Sequence, residues 1–233
     1  MKPRICVPLP ARSLSELAQM IRRAEESGAD LLELRLDYLT LPARDVMGSL
    51  GEVVGRASVP VIATNRQYKQ GGQCLQSEEE RVETLVKAAS VGFQYVDLEL
   101  TTAGLKPAVG KVKDCGGTPI VSFHDLEGTP EESEMEKIAT SQIEAGAEVC
   151  KLVTTANEIS DGIRCLDFAR RMSKTTRMVC FAMGRKGLLS RALSPFFGCF
   201  FTFACLESDL DTASGQIPIA ELRDLYRKLG VDG

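Results

Sequence analysis

Histidine is nearly missing from this sequence: of 233 residues, only His124 is one. The eight cysteines, at positions 6, 74, 115, 150, 165, 180, 199 and 205, form no Cys-x-x-Cys pair. With one imidazole and no paired thiols, zinc-type ligand spacing is absent and no metal is expected. Cys6, Cys150, Cys180 and Cys205 sit inside apolar runs, where a thiol behaves as a small hydrophobe. They read as reduced thiols in a reducing compartment, without disulfides. Positive charge is not in excess either. A formal net charge of −4 leaves no electrostatic footprint for nucleic acid. Long apolar runs are also lacking. The longest, Phe196 to Leu206, is broken by Gly198 and Thr202 and falls well short of the roughly 20 residues of a membrane span. Met1 to Pro10 carries basic residues but no apolar segment of signal-peptide length, so a cytoplasmic protein is expected.

No linker, low-complexity tract or shift of composition marks a boundary, and the expectation is a single domain over 1–233. What the chain does contain is an alternation of short apolar strands and amphipathic helices. The strands read as Ile5–Leu9, Leu31–Asp37, Val59–Asn65, Tyr95–Leu100, Pro119–His124, Val149–Thr154, Met178–Met183 and Phe200–Leu206. Between them, Ser13-x-x-Glu16, Ser77-x-x-Glu80 and Thr129-Pro-x-Glu132 have the capping-box form of helix starts. Gly28, Gly92 and Gly146 stand where a left-handed C-cap is wanted. Strands that are apolar throughout suit a parallel sheet covered by helices. Eight strand–helix alternations in this length predict an α/β fold, a (β/α)8 TIM barrel with trimmed loops. A doubly wound open sheet competes, but no Gly-x-Gly-x-x-Gly follows the first strand, and many strands end in polar groups.

Three helix ends run into strands in the same way: Gly28-Ala-Asp-Leu-Leu-Glu33, Gly92-Phe-Gln-Tyr-Val-Asp97 and Gly146-Ala-Glu-Val-Cys-Lys151. Each places a charged residue five positions after the glycine, inside strands two, four and six. Alternate strands of such a barrel supply one interior layer, so Glu33, Asp97 and Lys151 are expected to face one another. Side-chain alternation adds Arg35, Asp37 and Glu99 to the inward, C-terminal side. A lysine in an apolar strand is either an edge residue, a snorkelling one, or a buried amine that can attack a carbonyl. Burial would lower its pKa and neighbouring carboxylates would raise it, a tension that a proton-transfer partner could resolve.

Active sites of barrels lie at the C-terminal ends of the strands. Those ends collect Glu33, Arg35, Asp37, Thr64, Arg66, Asp97, Glu99, Ser122, His124, Lys151, Met183 and Glu207. His124, one strand before Lys151, has the chemistry of a general acid and base near neutral pH. The basic stretch Met183-Gly-Arg-Lys-Gly-Leu-Leu-Ser-Arg191 follows the seventh strand, where barrels often bind anions; it lacks a P-loop pattern. Thr212-Ala-Ser-Gly-Gln216, after the eighth strand, reads either as a lid or as an ordinary surface loop.

These residues together resemble the type I 3-dehydroquinate dehydratase family, Schiff-base enzymes of the shikimate pathway. The resemblance covers nearly the whole chain. It rests on Glu33-Leu-Arg-Leu-Asp37, Thr64-x-Arg66, Asp97-Leu-Glu-Leu100, Ser122-Phe-His-Asp125, Lys151, Met183-Gly-x-x-Gly187 with Ser190-Arg191, and Thr212-Ala-x-Gly-Gln216. It implies that Lys151 forms an imine with the C3 ketone of 3-dehydroquinate, and that His124 moves protons at C2 and at the C1 hydroxyl and also shuttles protons while the imine forms and hydrolyses. Glu33, Arg35 and Arg66 would hold ring hydroxyls, Arg191 the substrate carboxylate, and Thr212 and Gln216 would close from the last loop. Asp97, Glu99 and Met183 would support the site. No cofactor is implied, because the imine is the electron sink. The small-molecule substrate is the one partner implied, with a homodimer as one option for assembly. One departure stands out: Gln70 precedes Gly71-Gly72 where the family usually has a glutamate that orients the histidine. A glutamine cannot stabilise an imidazolium by charge, so His124 is expected to have a lower pKa than is usual there. Two other readings of the same residues are a class I Schiff-base aldolase and a non-catalytic barrel that binds a small anion.

Overall fold

The computed structural model describes residues 2–207, 212–213 and 215–231. Its strands are β1 (Ile5–Leu9), β2 (Leu31–Arg35), β3 (Val61–Thr64), β4 (Tyr95–Glu99), β5 (Thr118–His124), β6 (Val149–Thr155), β7 (Arg177–Met183) and β8 (Thr202–Phe203). The helices are α1 (Leu14–Glu26), α2 (Met47–Val54), α3 (Glu78–Ser90), α4 (Leu105–Asp114), α5 (Glu132–Glu144), α6 (Ile159–Met172), α7 (Leu188–Leu193) and α8 (Ile219–Lys228). Every strand pairing is parallel, in the order β7-β6-β5-β4-β3-β2-β1-β8. Across the seam between β7 and β8, the Phe200 amide donates to the Met178 carbonyl at 2.7 Å. The result is a nearly closed (β/α)8 barrel, as the alternation of elements predicts. Among the described residues, no helix is long and apolar enough to cross a membrane.

The boundaries differ from the sequence reading in instructive places. β2 stops at Arg35 because Leu36–Tyr38 curls into a 3-10 turn, in which Asp37 takes the Arg35 guanidinium. β8 is two residues long because the chain leaves β1 after Ala204, and Cys205 pairs instead with the stretch at Ile217–Ile219. Ser77 and Glu80 form a complete capping box on α3. Ser13 caps α1, but the Glu16 carboxylate accepts from the Arg12 amide rather than from Ser13. The third expected box is absent. α5 begins at Glu132 with Glu131 as its cap, and the Thr129 hydroxyl bonds Thr154 Oγ1 and the Thr155 carbonyl. The residue before a proline is pushed out of the helical region, so Pro130 keeps Thr129 extended and available to β6.

Gly28, Gly92 and Gly146 have φ of +86°, +108° and +93°, the left-handed geometry that ends α1, α3 and α5 without a Cβ penalty. Each therefore sends its chain into β2, β4 or β6 by the same turn, and this puts Glu33, Asp97 and Lys151 in one interior layer. Outside the strands, the helices pack a large apolar shell against β1–β5, with Leu17, Leu32, Leu50, Leu85 and Val96 at its centre. Inside the barrel, Phe181, Phe201 and Phe203 meet edge to face at 5.4–6.0 Å between centroids, which is favourable aromatic geometry.

Candidate active site

A cavity of about 380 Å³ opens at the C-terminal ends of the strands. At its floor is Lys151, 4% exposed. Its Nζ lies 3.0 Å from Asp97 Oδ2 and 3.3 Å from Glu33 Oε1, so the three residues of the repeated turn do face one another. On its other side, Nζ stands 4.6 Å from the centroid of the Phe203 ring. Register explains the placement. Lys151 pairs across the sheet with Ser122, and Thr64 with Asp97.

Behind the lysine is a buried ion network. Arg66 Nη2 donates to Asp97 Oδ2 at 2.8 Å, and Nη1 to Glu99 Oε1 at 2.9 Å and Ser122 Oγ at 2.8 Å. The Ser122 hydroxyl donates to Asp97 Oδ1 at 2.6 Å. Burial alone would raise the pKa of Asp97, but the Arg66 and Lys151 charges more than offset it and hold the carboxylate far below its ordinary range. Burial likewise opposes charge on Arg66, yet Asp97 and Glu99 overcome it and raise its pKa. Glu99 also ion-pairs with Arg81 of α3, which bonds the Thr102 hydroxyl, the Asn65 carbonyl and Glu78.

Ten of the twelve expected site residues line the cavity: Lys151, His124, Glu33, Arg35, Arg66, Gln70, Met183, Arg191, Thr212 and Gln216. Asp97 and Glu99 do not. They lie beneath it as anions for Arg66 and Lys151. Asp37, expected to point inward, is instead wholly occupied outside the cavity, accepting the Arg35 fork and the Gln73 amide. Glu207 is also off the site, ion-paired with Arg23 on the exterior. Arg185 and Lys186 of the basic stretch are exposed and absent from the cavity wall, and Lys186 donates to the Asn157 carbonyl at 2.6 Å. Arg191 is the one basic residue of that stretch to enter the cavity. It is 2% exposed, its guanidinium lies 4.5 Å from the Phe181 centroid, and burial lowers its pKa to about 10.

His124 and Lys151 line the same cavity. Burial, then the Arg66 and Lys151 charges, depress the imidazole well below its ordinary 6.5. This lowering is relative to a free histidine and comes from burial and the two cations, whereas the expectation from Gln70 is a comparison with family members. Gln70 accepts, through Oε1, the backbone amide of His124 at 3.1 Å, while His124 Nδ1 has no hydrogen-bond partner among the described residues. In the last loop, Gly215 has φ of +78° and packs so closely on Gly184 that a Cβ would lie 2.7 Å from its carbonyl oxygen. That contact brings Thr212 and Gln216 to the mouth, where the Thr212 amide donates to Gln216 Oε1 at 3.0 Å. Ser214, in the same loop, lies outside the described residues.

Reading only strand ends missed Arg81, on a helix, and the wall residues Val153, Phe181 and Phe203. Arg81 follows Glu78 by three positions and reads as a solvated helix pair. The wall residues carry no signal that separates them from strand core.

Comparison with known proteins gives a consistent picture. A sequence model described as type I 3-dehydroquinase matches residues 5–232. The 3-dehydroquinate dehydratase of Dehalococcoides mccartyi is 32% identical over 215 residues, covering 92% of this chain and 92% of that one. The chloroplastic bifunctional 3-dehydroquinate dehydratase/shikimate dehydrogenase of Arabidopsis thaliana is 34% identical over 240 residues, covering 98% of this chain but only 38% of the plant protein. The crystal structure of 3-dehydroquinate dehydratase from Geobacillus kaustophilus shares the fold, with a TM-score of 0.90 over 99% of this chain and 92% of that one, at 23% identity.

Proposed function

This chain belongs to the type I 3-dehydroquinase family, and from that premise we propose that it dehydrates 3-dehydroquinate to 3-dehydroshikimate through a Schiff base on Lys151. The observation that carries the reading is the position of Lys151. A buried amine between two carboxylates lies at the floor of a cavity that also holds the only histidine and a buried arginine.

In this reading the Lys151 nitrogen attacks the C3 ketone and water leaves, giving an iminium. The iminium withdraws electrons from the adjacent C2–H and makes it acidic. His124, neutral because its environment suppresses protonation, takes the C2 proton and returns it to the C1 hydroxyl as that group departs. Hydrolysis of the imine then frees the product and the lysine. Arg191, buried in the cavity wall over the Phe181 ring, suits the substrate carboxylate, a bidentate partner for its fork. Arg35 spends Nε and Nη2 on Asp37, which leaves Nη1 for a ring hydroxyl. Arg66 and Glu33 also face the cavity, and Thr212 and Gln216 stand at its mouth. The eight free thiols suit a cytoplasmic setting for this step of the shikimate pathway.

The test is reductive trapping. The protein is incubated with 3-dehydroquinate and borohydride, digested, and searched by mass spectrometry for a substrate-sized adduct on Lys151. An adduct there, with enone product forming in the absence of borohydride, is the expected result. An adduct formed only with a sugar phosphate would replace the reading with an aldolase. Binding of 3-dehydroquinate with no adduct and no product would replace it with a non-catalytic barrel.

A further inference from the structure

The geometry points to a second binding site, for a small anion carrying two or more phosphate groups, at the N-terminal end of the barrel and across its seam. This site lies at the opposite end from Lys151 and does not depend on the chemistry assigned there.

The basin at that end has a volume of about 540 Å³, more than the cavity around Lys151, and no Asp or Glu lines it. Four cations do: Lys2 and Arg4, which lead into β1, Lys174, in the turn after α6, and Arg177, the first residue of β7. Among the described residues, none of these four side chains donates a hydrogen bond or enters an ion pair. The dipole at the C-terminus of α6 favours cations in its last turn, but those are Arg170 and Arg171, and both are paired, with Asp167, Glu132 and Glu136. The helix end does not account for Lys2, Arg4 and Arg177, which come from other segments.

Arg4 and Arg177 are also held together. Their guanidinium carbons lie 4.4 and 5.3 Å from the centroid of one ring, Phe200. The two charges are therefore no further apart than a screening length of about 10 Å at 0.1 M salt. Contact with the ring satisfies no N–H group, so the donor edges are left for a ligand, and an arginine fork matches two phosphate oxygens. A cleft lined by one sign of charge concentrates counter-ions. Its wall is built rather than loose: Gly198, with φ of +92°, seats the loop before β8 so tightly on the turn after α6 that a Cβ would collide with Ser173 Oγ.

The position gives the anion a role. β7 and β8 form no ladder with each other, and the barrel closes there through the Phe200 amide on the Met178 carbonyl. Arg177 stands on the β7 side of this seam. Arg4 stands on the other, next to Ile5, which pairs with Thr202 of β8. One phosphate can occupy one fork. Two linked phosphates can bridge both arginines and brace the seam. A polynucleotide fits less well, because the chain has a formal net charge of −4 and these cations form one basin rather than a track.

The experiment titrates the protein with inorganic pyrophosphate by calorimetry, in metal-free buffer at about 50 mM salt. It compares wild type, Arg4→Gln, Arg177→Gln, the double variant Lys2→Gln/Lys174→Gln and, as a charge control, Lys111→Gln on the exposed side of α4. Wild type should bind with a Kd below about 1 mM. Each arginine variant should weaken binding by about tenfold or more, and the double lysine variant by about threefold or more. Lys111→Gln should change it by less than about twofold. At one hundred times the wild-type Kd, pyrophosphate should raise the thermal unfolding midpoint of wild type by about 5–10 °C, and those of the arginine variants by about half of that or less. Absence of binding to wild type overturns the inference. So does unchanged binding in the arginine and lysine variants, which would place pyrophosphate elsewhere, or an equal loss in Lys111→Gln, which would make the effect one of net charge. Tighter binding of a single-stranded oligonucleotide than of pyrophosphate would replace the small-anion site with a nucleic-acid surface.

Discussion

The interior of this barrel has two unlike sectors. Strands β2, β4 and β6 contribute buried charges, joined by Arg66 just after β3 and Arg81 of α3, while β7, β8 and β1 contribute Val179, Phe181, Phe203 and Cys6. The charged sector is built around a paired set, which Arg81 extends outward to Glu78. Three cations (Lys151, Arg66, Arg81) meet three carboxylates (Glu33, Asp97, Glu99), all at most 4% exposed. Buried ions are tolerated when they are paired and hydrogen-bonded, and each charge here has at least one opposite neighbour. The aromatic sector offers Lys151 only a ring face. The lysine therefore sits on the boundary, held from one side by anions and flanked on the other by Phe203. The comparison teaches that the proposed nucleophile stands where the ion network ends.

Making the boundary residue apolar should have the largest effect. Lys151→Met keeps the volume and the aromatic contact but removes the proposed nucleophile, so turnover should fall by at least about 10⁴-fold. The ultraviolet absorbance of the enone product measures it, and residual activity within tenfold of wild type would sink the role of Lys151.

Asp97→Asn attacks the charged sector from within. It removes the anion shared by Arg66 and Lys151 and should cost about 3–5 kcal/mol in urea unfolding. The sign with pH is fixed by the depressed pKa of Asp97. Its contribution is complete above the ordinary carboxylate range and is lost as pH falls through that range and below. Wild type should therefore lose stability in acid more steeply than Asp97→Asn. Parallel acid limbs would show that the network is not held by this carboxylate.

The aromatic sector should respond less. Phe203→Leu trims one wall of Lys151 and should cost about 1–2 kcal/mol of stability, from lost packing and the lost ring face. Turnover should fall by less than about tenfold, because no donor or acceptor is removed. A loss as large as that of Lys151→Met would mean that the ring face, rather than the carboxylates, positions the amine.

The two sectors were also unequally visible in the sequence. Charged residues in apolar strands are anomalies, and the glycine-anchored repeat at Glu33, Asp97 and Lys151 converted them into a layer because left-handed turns set each strand's phase. The seam and walls made of Phe181 and Phe203 look like any strand core. Arg81 was hidden for another reason: only the fold brings Glu99 behind a helix residue that otherwise pairs with Glu78. At Thr129 a local pattern was overruled, since Pro130 and the acceptors on β6 compete for the hydroxyl that a cap would use. Gln70 was legible as a partner of His124, but whether it meets the ring or the backbone depends on loop geometry that spacing does not encode.

Gln70→Glu gives the smallest and most discriminating change. The new carboxylate keeps an acceptor for the His124 amide and adds a negative charge beside an imidazole that now feels Arg66 and Lys151. In wild type, the His124 ring signals should stay in the neutral form as pH falls through 6.5, because burial and the two cations depress its pKa. As pH drops below that value the unfolded chain binds a proton that the folded chain refuses, so this residue destabilises the fold in mild acid. In Gln70→Glu the titration midpoint should rise by about one pH unit, narrowing that window and moving the acid limb of kcat/KM upward with it. Turnover near neutral pH should change only a few-fold. An unmoved midpoint would place the tuning of His124 entirely in burial and the charged sector, with the residue at position 70 serving only the backbone.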